Sequence, residues 1–153
     1  MKKIQIGDVF EIATSKGKGY FQYIYSNKTI GELIRILPGL YLDKPRNMIA
    51  IAAAKEVYFV HFPLKAAFKK GIVQFIGNYS LPQDLELPRQ MRSKNVDKNG
   101  NLICWYIVEY DTWRRVIIKE LTKDQKKLSP WGIWNDTLLI ERLAEGWTPE
   151  EWT

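Results

Sequence analysis

The side chains able to do acid–base, nucleophilic or metal chemistry are few and scattered along the chain. His61 is the one histidine and Cys104 the one cysteine. A general base needs a partner that positions it, and a metal site needs several ligands at short spacings. The sequence offers no HxH, no CxxC and no histidine–carboxylate pair at helical spacing. His61 stands between Val60 and Phe62, just before Pro63. It reads as structural, with its ring bonded to backbone or water. An enzymatic reading would require Asp8 or Asp111 to orient it. Cys104 lies inside the apolar run LICWYIV and reads as a small buried hydrophobe. Asp43, Asp97 and Asp111 fall in turn-like stretches, where aspartate bonds its own backbone. Gly17-Lys18-Gly19 is a glycine turn without the spacing of a phosphate-binding loop. The expectation is a protein with no catalytic constellation, no metal site and no cofactor.

Charge gives the candidates for binding instead. The net charge is +6, unevenly spread. From Asp136 onward five acids face Arg142 alone, a net −4, so residues 1–135 carry +10. The acidic end holds Glu141, Glu145, Glu150 and Glu151, with Trp147 and Trp152 among them. Tryptophan rimmed by carboxylates is an anchor for a basic partner protein, so these six residues form the candidate partner-binding surface. The competing reading has both tryptophans packing the terminal segment onto the body. A second surface is basic and aromatic: Trp113, Arg114, Arg115 and Lys119, with Tyr106 and Tyr110 nearby. On a curved sheet such residues stack bases and track phosphates, which makes a small nucleic-acid-binding β-barrel the alternative function.

The elements that must carry these residues are mostly strands. Six Trp, eight Tyr and six Phe in 153 residues favour pleated surfaces. Ile4 to Tyr25 reads as a hairpin. Ile4, Ile6, Phe10 and Ile12 share one parity, Ser15–Gly19 is the turn, and Phe21, Tyr23 and Tyr25 line the next strand. Gly7-Asp8 interrupts the first strand and predicts a bulge or bend. A third strand spans 29–37 and another begins at Val57, while MIAIAAA at 48–54 is ambiguous between helix and strand. Pro63, Lys69, Lys70 and Gly71 predict a two-turn helix with Leu64, Ala67 and Phe68 inward, followed by a strand over 72–76. Asn99-Gly100 predicts a tight primed-type turn joining strands 89–96 and 102–110. Asp111-Thr112 turns into a third strand over 113–120, giving a meander whose middle strand is apolar on both faces and therefore central. Asn135 or Asp136 caps a helix that reaches Ala144 and stops at Gly146. Thr148-Pro149-Glu150-Glu151 repeats the helix-start signal.

These elements predict a mainly β (α+β) protein: a curled antiparallel sheet or small, partly open barrel, with one short inserted helix and a C-terminal helix. The length suits a single domain over residues 1–153. No apolar run reaches the roughly 18 residues of a membrane span and no signal-peptide pattern follows Lys2-Lys3, so a soluble, cytoplasmic protein without membrane contact is expected.

Two stretches carry a resemblance. Gly7-Asp8-Val9-Phe10-Glu11-Ile12, followed by a glycine turn and an aromatic strand, resembles the opening of the immunity protein 26 family. Phe62-Pro63-Leu64-Lys65-Ala66-Ala67, with Gly71 and a following strand, resembles the middle of that family. The similarity covers roughly the first half of the chain. It implies a small cytoplasmic bacterial protein of a polymorphic toxin system. Such a protein has no enzymatic activity and binds and blocks a cognate toxin, often a nuclease. It implies no particular binding residues.

Overall fold

A computed structural model describes all residues from Met1 to Thr153. The chain is mainly β and forms two compact units, residues 1–85 with 133–147, and residues 86–132 with 148–153.

The first unit is built on an antiparallel sheet of five strands: β1 (Asp8–Thr14), β2 (Gly17–Asn27), β3 (Gly31–Ile36), β4 (Phe59–His61) and β5 (Val73–Asn78). Their order is β4-β3-β2-β1-β5, so the sheet is open with β4 and β5 at its edges. The expected bend sits at Gly7, whose φ of +96° is left-handed. Gly7 N–H donates to the Tyr23 carbonyl at 2.8 Å, and its own carbonyl accepts from Tyr79 N–H and Gln22 Nε2. A side chain there would approach the Tyr79 carbonyl to 2.8 Å. The bend also ends the predicted alternation: Phe10 and Ile12 are buried, whereas Ile6 before the glycine is exposed.

Both faces of this sheet are covered, because β1 and β2 alternate large apolar residues on either side. Phe10 stacks on Phe21, its neighbour across the strands, and meets Phe68 and Phe75 edge-on. Phe68 comes from α2 (Leu64–Lys69), which forms where Pro63 and Gly71 predicted it. On the other face Val9, Tyr20 and Leu37 pack with Met48 and Ala52 of α1 (Met48–Ala53). The ambiguous alanine run is thus a second short helix. Asn47 caps it by accepting from Ala50 N–H at 3.1 Å, and the buried Arg35 guanidinium donates to the Ala52 and Ala54 carbonyls at its end. Propensity alone left this run open; the arginine beneath it decides the matter. α3 (Asp136–Glu145) has Asn135 as its N-cap, accepting from Leu138 N–H at 2.8 Å, and left-handed Gly146 as its stop.

The second unit holds a three-stranded antiparallel meander, β6 (Gln90–Val96), β7 (Leu102–Glu109) and β8 (Arg115–Ile118), with β7 in the middle as its apolar faces predicted. The β6–β7 turn differs from expectation. Only Gly100 has a positive φ there, and Gly100 N–H donates to the Asp97 carbonyl at 3.0 Å. This is the three-residue form, a type I turn closed by a left-handed glycine, and not a primed turn. The Asp97 carboxylate accepts from the Asn99 and Asn101 amides, which holds its pKa below the usual carboxylate range. β8 is shorter than predicted, because Trp113 is in the turn with a left-handed φ of +62°. The unit is completed by two 3₁₀ turns, Gln125–Lys127 and Pro149–Glu151. The latter has the full reciprocal cap between Thr148 and Glu151.

Candidate functional site

His61 is fully buried on β4 beside Leu33 of β3. Burial pushes its imidazole pKa below the ordinary value, and hydrogen bonding with the backbone of Glu32 and Gly31 offsets this only in part. The proposed orienter Asp8 is on β1, with β3 and β2 between. At ~4.8 Å per strand that is about 14 Å. Asp8 has its own partners, Lys2 Nζ at 2.9 Å, Gln5 N–H at 2.8 Å and Asn78 Nδ2 at 2.9 Å. Asp111 is an exposed turn residue of the second unit. The His61–Asp8 pairing that hydrolytic chemistry would need is therefore not made. Cys104 is buried, with Asn95 Nδ2 3.6 Å from its sulfur. No three His, Cys, Asp or Glu side chains converge as metal ligands.

The acidic end divides between the two units. Glu141 and Glu145 are exposed on α3, where Glu145 accepts from Arg142 at 3.2 Å. Trp147, at 7% exposure, packs edge-on against Tyr58 and Trp134 in the first unit. Its ring belongs to the core, so it cannot serve as a rim anchor. Glu150 and Glu151 are exposed in the second unit, and Glu151 spends one carboxylate oxygen on the Thr148 amide. Trp152 is half-buried, edge-on to Trp105. The glutamates are presented to solvent, while both tryptophans turn inward.

The basic, aromatic surface is partly assembled. The Arg115 guanidinium lies 5.0 Å from the centre of the Tyr106 ring, reached diagonally across the β7–β8 pair, where Arg115 is opposite Val108. Trp113 and Tyr110 both meet Trp131 edge-on. Arg114 and Lys119 are exposed at either end of β8.

The last strand of the predicted meander, β8, presents an outer edge that the sequence analysis did not single out. β6 is bridged on its outer side at Arg92, whose N–H donates to the Ser129 carbonyl at 3.0 Å and whose carbonyl accepts from Trp131 N–H at 2.7 Å. β8 pairs with β7 alone, and no chain runs along its outer side. Val116 and Ile117 point to opposite faces, and they are 57% and 64% exposed. Leu102 and Ile103, at the start of β7, are also exposed. The available signal was the position of β8 last in a meander, which makes it an edge.

Comparison with protein-family models, with curated proteins and with solved structures returned no match to this chain. No helix is long and apolar enough to cross a membrane.

Proposed function

We propose that this chain is a non-enzymatic binding protein, an immunity protein that occludes a bacterial toxin in the cytoplasm. The observation that carries the reading is the uncovered β8 edge. A strand with unpaired N–H and C=O groups and exposed branched side chains is a template for another strand. Natural proteins blunt such edges unless they use them. Arg114 precedes β8, Arg115 opens it and Lys119 follows it, so the matching partner segment is extended and acidic. The resemblance of Gly7–Ile12 and Phe62–Ala67 to the immunity protein 26 family supports the same reading. The test is co-expression with the protein encoded immediately upstream of this chain's gene. Growth should stop with that neighbour alone and resume when this chain is present. A neighbour that is harmless, or that kills regardless, would remove the proposal.

One observation favours nucleic-acid binding as a second reading: Trp113, part-exposed in a left-handed turn, is followed directly by Arg114 and Arg115. It requires affinity for single strands that falls steeply with salt.

A further inference from the structure

A cleft of about 440 Å³ opens in the first unit between the N-terminal segment and α2, lined by Met1, Lys2, Lys3, Ile4, Tyr23, Lys65, Phe68 and Lys69. Its size lies within the range of small-molecule sites. Two elements bring four lysines to its lining. Lys65 and Lys69 are one helical turn apart on α2, where like charges repel. Lys2 and Lys3 arrive on the segment that Gly7 and Asp8 fix in place, through Gly7 N–H to the Tyr23 carbonyl and Gln5 N–H to Asp8. Only Lys2 has a carboxylate partner, Asp8 at 2.9 Å. Lys3, Lys65 and Lys69 make no ion pair and are exposed. The wall beneath is apolar, the half-buried Phe68 ring and the Tyr23 side chain.

Three of these four lysines have no carboxylate partner beside an apolar wall, and an anion would complete them. Lysines bind phosphate as point charges, without the planar fork that arginine offers carboxylates. The wall suits a flat organic body. We infer that this cleft binds a small phosphorylated molecule with an aromatic body, of the size of a nucleoside monophosphate. The phosphate would meet Lys3, Lys65 and Lys69, and the ring would lie against Phe68. This site is independent of β8 and of any toxin.

The experiment is isothermal titration of the full chain at low salt with adenosine monophosphate, inorganic phosphate and adenosine. The first should bind saturably. Phosphate should bind at least tenfold more weakly, and adenosine should give no heat. Replacing Lys65→Gln and Lys69→Gln together leaves the exposed side of α2 intact and removes a repulsion, so folding is preserved. Each replacement should weaken binding roughly fivefold. Phe68→Leu should reduce the preference for the nucleotide over phosphate. Absence of saturable binding, or unchanged affinity in the double variant, would overturn the inference. So would affinity that grows with oligonucleotide length, since the cleft would then be part of a nucleic-acid surface.

Discussion

The guanidinium of Arg92 lies 4.4 Å from the centre of the Trp105 ring. It is 5.1 Å from that of Trp152. The side chain has no solvent exposure and no carboxylate beside it. One amino group donates to the Pro149 carbonyl at 2.6 Å, to Trp152 at 3.1 Å and to Lys126 at 3.2 Å, while Nε and Nη1 have no hydrogen-bond partner. Desolvation lowers its pKa to about 10. One cation thus ties the last residues and the Gln125–Lys127 turn to β6. Arg92→Leu should lower the unfolding free energy by about 2 kcal/mol, because buried carbonyls lose their donor. Urea titration followed by tryptophan fluorescence measures it; an unshifted midpoint would show that water serves those carbonyls equally well.

His61 sets an acid limit on the fold. Its folded pKa is below the unfolded value of ~6.5, so the folded state prefers the neutral ring. Its stabilising contribution is complete above about pH 6.5 and declines as pH falls from there through the folded pKa. His61→Gln should flatten the dependence of melting temperature on pH in this window. Equal slopes for the two proteins would contradict the assignment.

Gly7 and Gly31 separate two costs of adding a methyl group. Both have positive φ, +96° and +82°. At Gly31 a Cβ meets nothing within 4 Å, but at Gly7 it meets the Tyr79 backbone carbonyl at 2.8 Å. Gly31→Ala should cost about 1 kcal/mol of backbone strain, and Gly7→Ala roughly 3 kcal/mol, since strand and loop must part. Denaturation midpoints of the two variants should differ accordingly; equal midpoints would mean that the 79 loop yields freely.

The two candidate partner surfaces can be told apart. Ile117→Lys changes an exposed residue and should alter stability by less than about 0.5 kcal/mol. It should weaken toxin binding at least tenfold, about 1.4 kcal/mol, if β8 is the contact. Replacing Glu141, Glu145, Glu150 and Glu151 by glutamine should change affinity less than threefold. The reverse ranking, read by surface plasmon resonance, would move the contact to the acidic end.

Strands were legible where one residue type repeats at period two, as in Phe21-Tyr23 and Phe10-Ile12, because half-burial leaves that trace. Turn positions were legible at Asn99-Gly100, but turn type was not: it depends on whether Asn99 or only Gly100 takes positive φ, and here only Gly100 does. Met48–Ala53 was ambiguous because its helix is completed by Arg35, which is distant in sequence. Trp147 carried two readings, anchor or packing, and the choice depends on Tyr58 and Trp134, which are likewise distant or unmarked in sequence. At β8 the strand itself was legible, and the exposure of Val116 and Ile117 follows from its place last in the meander, with β7 on one side only.

The chain passes from one unit to the other after residues 85, 132 and 147. A gene fragment covering 86–132 would encode Arg92 and Trp105 but neither Pro149 nor Trp152. Recombination cannot transplant the meander as a single cassette, and a grafted copy would need its closing hexapeptide supplied from elsewhere.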